Sequence, residues 1–231
     1  MPYLNVTDDA AELYLGTEGV ELDETNPENR FGREWIAKVS DLTDEAVAAK
    51  KPLIISATGK FFSNGLDTDY LFSGAEPLPT YLDAVHALYA KVVSAATPTI
   101  AAINGHAFGA GAMLALCADH RIMREDRGFW SLPEAALNMP FPRGMAGLLR
   151  TRVPDATLTE AILTSRRYGA ADAVAGGIIE EAVPADRLLE RAREVARERA
   201  QFAGENLGNI KRALRLPLLE DLTAPTPATL L

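Results

Sequence analysis

Two stretches of this chain repeat one pattern: a short apolar run, a glycine-containing loop, and the opening of a helix. Residues 52–72 read PLIISA, TGKFFSNG, LDTDYLF, and residues 99–118 read TIAAI, NGHAFGAG, AMLALCA. Apolar runs this short, with no polar alternation, are what strands of a parallel sheet look like when both faces are covered. Strands of that kind alternating with helices predict an α/β fold. The N–H groups that open each helix lack an intrahelical acceptor and sit at the positive end of the macrodipole. Two such donors meeting at one point make an oxyanion hole, and a neighbouring glycine lets a ligand reach the main chain. Each loop taken alone is more often an ordinary turn. The glycine spacing fits neither the P-loop nor the dinucleotide-binding fingerprint.

The rest of the chain extends this pattern. Strands are expected over 3–6, 12–15 and 20–22, between turn residues. A helix is expected over 30–49, with Trp35, Val39, Leu42 and Val47 near one face, and another over 81–96. The run 109–118 is small and apolar throughout and reads as a buried helix. Pro133 and Pro154 read as first-turn prolines. Helices over 188–202 and 206–216 follow, the second stopped by Pro217, and the tail TAPTPATLL is read as irregular and mobile. The expected organisation is one domain, with residues 1–183 as core, 184–223 as a helical segment and 224–231 as the tail.

At 231 residues with a net charge of −9, the chain has no overall basic face for a phosphate backbone, which argues against nucleic acid as its main partner. Cys117 is the single cysteine, so no internal disulfide and no cysteine-rich metal site can form. Its apolar flanks read as a buried thiol. No run approaches the roughly 20 apolar residues of a membrane span. The N-terminus lacks a basic region followed by an apolar one, and the last three residues are not a peroxisomal signal. A cytoplasmic protein without a membrane partner is the expectation.

Residues 61–67 (FFSNGLD) resemble the first oxyanion segment of the enoyl-CoA hydratase/isomerase (crotonase) superfamily, and 101–111 (AAINGHAFGAG) resemble the second. Ala118-Asp119, 163–170 and 173–178 are similar to segments that follow in that family, and the likeness spans roughly 10–215 in order. The resemblance implies a spiral of ββα units with a C-terminal helical part and acyl-CoA thioester substrates. It also implies a homotrimer or dimer of trimers, and no cofactor or metal, coenzyme A being part of the substrate. It places the oxyanion donors on the backbone N–H groups of Leu66 and Ala110.

Hydratases of that family carry two glutamates. The position of the first is Met113 here, while the Pro-Glu pair of the second is matched by Pro133-Glu134. Hydration needs groups that activate water and protonate carbon together, whereas one base suffices to move a double bond. The pattern is similar to Δ3,Δ2-enoyl-CoA isomerases of the peroxisomal and plant branch, which implies that Glu134 is the catalytic base. Phe62, Met113, Leu137, Met139 and Phe141 are the expected apolar walls, where desolvation raises a carboxyl pKa. Without the family register, Glu134 is equally a first-turn residue interacting with the dipole. Hydratase or other enolate chemistry, and a non-catalytic acyl-CoA-binding protein, are the alternatives.

Lys60 and Lys211 are candidates for meeting the coenzyme A end, and Arg166, Arg167, Arg212 and Arg215 read either so or as solvated surface. His120 reads as a structural hydrogen-bonding residue and His86 as a partly exposed helical one. His106 reads either as pocket lining or as loop packing. Ser63 and Ser131 lack the flanks of a nucleophile elbow.

Overall fold

The computed structural model describes residues 1–20 and 26–230. The strand expected over 20–22 lies largely outside the described residues.

A six-stranded sheet forms the centre. β1 (Tyr3–Val6) pairs antiparallel with β2 (Ala11–Tyr14). β3 (Leu53–Ser56), β5 (Thr99–Ile103), β7 (His120–Arg124) and β9 (Glu181–Val183) then add in parallel, in that order. One face of these strands packs Leu53, Ile55, Ala101 and Ile103 into the main core, against α1 (Arg33–Ala48), α3 (Leu78–Val93) and α4 (Ala110–Cys117). The other face packs Ile54, Ile100, Ala102 and Ile122 against Leu188, Ala192, Val195 and Ala196 of α8 (Leu188–Arg199). Cover on both faces is why β3 and β5 read as continuous apolar runs.

A second, three-stranded parallel sheet joins β4 (Phe61–Ser63), β6 (His106–Phe108) and β8 (Trp130–Ser131). The chain therefore winds through repeated units, each giving its first strand to the large sheet and its second to the small one. This is the ββα spiral of the crotonase fold. In the first unit β4 leads to α2 (Thr68–Phe72), and in the second β6 leads to α4.

The third unit departs from expectation. Pro133 opens no helix: after β8 a single turn forms, with the Leu137 N–H on Pro133 O at 3.0 Å and the Met139 N–H on Glu134 O at 2.9 Å. Asn138 then takes φ +54°, outside the helical range, and Pro140 and Pro142 have no N–H with which to continue. Pro154, by contrast, directly precedes α6 (Asp155–Thr164). α5 (Arg143–Arg152) and α7 (Ala170–Ala175) complete this region.

Pro217 also behaves differently from expectation. α9 (Glu205–Leu214) ends before it, and Pro217 sits in the first turn of α10 (Leu216–Thr223), where a missing N–H costs nothing. α10 packs back on α3 and α5.

Candidate active site

The two glycine loops meet. Gly65, at φ +88°, turns the chain from β4 toward α2, and a Cβ there would collide with the carbonyl oxygen of Phe108 at 2.7 Å. Gly111 faces the first loop as closely: a Cβ on it would stand 2.4 Å from Ser63 O. Only residues without side chains permit this approach.

Local hydrogen bonds fix the first loop. The Phe31 N–H donates to Gly65 O at 2.8 Å and the Asn64 N–H to Glu28 O at 2.8 Å. Ser63 Oγ donates to Asn29 O and accepts from the Gly65 N–H, so this serine is a brace. The Tyr81 hydroxyl links the same region, donating to Phe31 O at 2.7 Å and accepting from the Asp67 N–H at 3.0 Å. The Asp67 carboxylate caps α2 through the Tyr70 N–H.

The second loop is braced from beneath. Tyr89 Oη donates to Ala110 O at 2.7 Å, and Trp130 Nε1 to Ala112 O at 3.2 Å. The Gly109 N–H donates to Ser131 O at 3.0 Å, tying the start of α4 to β8. Among the described residues, neither the Leu66 N–H nor the Ala110 N–H has a protein acceptor. Both residues line one cleft of about 660 Å³, its open mouth included.

Glu134 lines the same cleft, delivered by the turn after β8. A Cβ on Gly109 would lie 3.2 Å from Glu134 Oε1, so the carboxyl rests beside the residue preceding Ala110. Glu134 Oε2 is sealed from solvent without a hydrogen-bond partner. Burial pushes the carboxyl up to about 7, offset slightly by its own N–H, with no cation acting on it. Leu137, Met139 and Phe141 line the cleft as expected walls, together with Leu71, Leu78, Leu82 and Met145. Asn64, Thr68 and Leu230 also reach it.

Comparison with known proteins settles the family. A family model described as enoyl-CoA hydratase/isomerase matches residues 20–226. The chain belongs to the enoyl-CoA hydratase/isomerase family. Enoyl-CoA delta isomerase 3 of Arabidopsis thaliana is 31% identical over 216 residues, covering 87% of this chain and 91% of that protein. Peroxisomal enoyl-CoA delta isomerase 2 of the same plant is 32% identical over 165 residues, covering 67% and 69%. Carnitinyl-CoA dehydratase of Escherichia coli is 33% identical over 163 residues, covering 71% of this chain and 62% of that enzyme. In fold, the chain matches the crystal structure of a probable enoyl-CoA hydratase from Mycobacterium tuberculosis with a TM-score of 0.86 at 24% identity, over 97% and 92% of the two chains.

Within this family fold, four expected site residues lie outside the cleft lining. Phe62 and Met113 are fully buried in the main core and do not line the cleft. Phe62 points inward from β4 while Phe61 points outward, and α4 is covered on all sides, so Met113 packs against core. Lys211 is also buried. Its ammonium pairs with Asp119 and donates to Thr97 O at 2.7 Å, so its donors are engaged within the protein. Arg215 joins the same cluster, at 2.9 Å from Asp119 and 2.6 Å from Val93 O. Lys60 stands outside the cleft lining, its ammonium 5.4 Å from the centre of the Phe61 ring.

The histidines are structural. His120 bonds Glu181 Oε1 at 2.8 Å through Nε2 and contacts Arg199 at 3.2 Å through Nδ1. His106 packs among Phe61, Phe108 and Phe129 rather than in the cleft. His86, expected at the surface, is buried against Gly144 with both ring nitrogens unbonded, and burial lowers its pKa.

Proposed function

We propose that this chain is an enoyl-CoA isomerase that converts 3-enoyl-CoA to 2-enoyl-CoA, with Glu134 as its one proton carrier. The observation that carries this reading is that, among the described residues, Glu134 is the one ionisable side chain lining the cleft that Leu66 and Ala110 also line. The thioester carbonyl oxygen accepts from the two free N–H groups, which hold the negative charge as the enolate forms. Each such donor contributes about 3 kcal/mol to transition-state stabilisation.

The Glu134 carboxylate takes a proton from C2, and the electron pair left there delocalises through C1 onto the thioester oxygen and through C3 onto C4, as a dienolate. The same carboxyl then returns the proton at C4, leaving the double bond between C2 and C3. No atom is gained or lost. A carboxyl titrating near 7 is suited to both steps at neutral pH, since neither its acid nor its base form is inaccessible.

The similarity to carnitinyl-CoA dehydratase favours a second reading, water addition or removal. That reaction needs another acid–base group, and among the described residues the remaining lining side chains supply none. A homotrimer is also proposed. Phe202, Ile210, Leu214 and Leu216 leave large apolar side chains exposed on the C-terminal segment, in keeping with self-association, and light scattering tests it.

The deciding experiment supplies a 3-enoyl-CoA and follows the absorbance of the conjugated product for the wild type and Glu134→Gln. Turnover that falls by about 10²–10⁴-fold in the variant is expected. Hydration of a 2-enoyl-CoA with no migration from the 3-enoyl substrate overturns the isomerase reading. Absent turnover in both proteins, with unchanged acyl-CoA binding, points to a non-catalytic binding protein.

A further inference from the structure

One wall of the cleft arrives from the far end of the chain. Beyond α10 the backbone runs back over α3, where the Thr226 N–H donates to Asp83 Oδ1 at 2.9 Å. Thr226 is buried, while Pro225, Pro227, Ala228 and Thr229 are exposed. The segment is thus a strap across the surface, fixed at one point. Leu230 then turns inward, packs against the main core and lines the cleft.

The place of attachment matters. Leu78 and Leu82 stand four residues apart on α3, on one face of the helix, and both line the cleft. Asp83, which holds the strap, is the next residue along. Leu230 therefore belongs to the aliphatic wall built on α3. Glu134 and the two free N–H groups come from other elements, the turn after β8 and the two glycine loops. The Thr226 N–H bonds a carboxylate, a charge-assisted contact that is stronger than one between neutral groups. Two contacts therefore hold the strap, this bond on α3 and the packing of Leu230 against the core.

We propose that Leu230 is a specificity-determining residue that bounds the acyl end of the cleft, so that the strap discriminates against acyl chains long enough to meet it. This rests on the acyl-CoA reading above for what fills the cleft. The strap replaces part of a rigid wall by a side chain that one substitution can shorten or enlarge.

The test measures acyl-length profiles in the full chain for wild type, Leu230→Ala, Leu230→Trp and Asp83→Ala. Calorimetric binding of saturated acyl-CoAs of increasing length needs no turnover, and kcat/KM on the matching 3-enoyl-CoAs is measured beside it. Leu230→Ala is expected to raise affinity for long chains relative to short ones by about tenfold, the scale of a hydrophobic-pocket change of one or a few methylenes. Leu230→Trp moves the ratio the other way, and Asp83→Ala follows Leu230→Ala by freeing the strap. The same length profile in all four proteins overturns the proposal. A binding profile that shifts while no protein isomerises leaves the proposal standing and removes the isomerase reading instead.

Discussion

A Cβ on Gly65 would stand 2.9 Å from the amide nitrogen of Ala110. The residue before one free N–H is thus packed against the other free N–H, main chain on main chain, with no room for a methyl group. Gly65→Ala must push the loops apart and also holds an L-residue at φ +88°. The expected result is a kcat lower by roughly 10²–10³-fold, the cost of losing one donor. Binding of a saturated acyl-CoA, which develops no enolate charge, should change far less. Steady-state kinetics beside calorimetry separates the two.

The rate should follow the ionisation of Glu134. To take the C2 proton the group must be a carboxylate, and burial places its pKa at about 7. kcat/KM on a 3-enoyl-CoA is therefore expected to rise with pH, pass its midpoint near 7, and level off above it. A profile already flat from pH 5 would assign the proton transfer to another group.

Stability should depend on the same carboxyl with the opposite trend. The ordinary value is 4.5, so the folded protein holds this proton more tightly than the unfolded chain. Its stabilising effect is complete below pH 4.5 and is lost as pH rises toward 7. At about 1.4 kcal/mol per pKa unit, the loss is at most about 3–4 kcal/mol. Glu134→Gln is expected to melt above the wild type at pH 8 and level with it at pH 4, by differential scanning calorimetry.

Asp119 secures the C-terminal helices. Burial alone would raise its carboxyl, but Lys211 and Arg215, with the Thr99 N–H, hold it below the ordinary value. Asp119→Ala leaves two buried cations without their anion and should cost about 3–5 kcal/mol in denaturant unfolding. Lys211→Met removes no ligand contact, so its KM for acyl-CoA should match the wild type.

Cys117 is fully buried, and burial raises its thiol pKa. Native-state labelling with a thiol reagent at pH 8 is expected to follow the rate of protein opening rather than the thiolate chemistry. Labelling as fast as a free thiol would mean that α4 is open to solvent.

The large sheet was legible because strands covered on both faces, such as 53–56 and 99–103, leave continuous apolar runs. The glycine loops and Glu134 were legible through spacing and family register. Facing was not. Phe61 and Phe62 are adjacent identical residues, and only the pairing of β4 with β6 decides which enters the core. Lys211 and His86 read as surface because charge and polarity are usually exposed, yet their partners or covers, Asp119 and Gly144, lie far away in sequence. The strap was illegible for the same reason: proline-rich and short, it owes its place to Asp83 on another helix.

The two free N–H groups sit on loops clamped by the core, beside glycines that leave no room for a side chain. Glu134 instead rides a surface turn whose next four residues, Ala135 to Asn138, are exposed. Under the proposed mechanism, enolate stabilisation and proton handling fall to separate parts with unequal tolerance of change. Residues in the turn can be exchanged, and with them the position and kind of acid–base group, while the polarising end of the cleft stays as it is. Such a chain is a natural starting point for redirecting an enolate to a different fate.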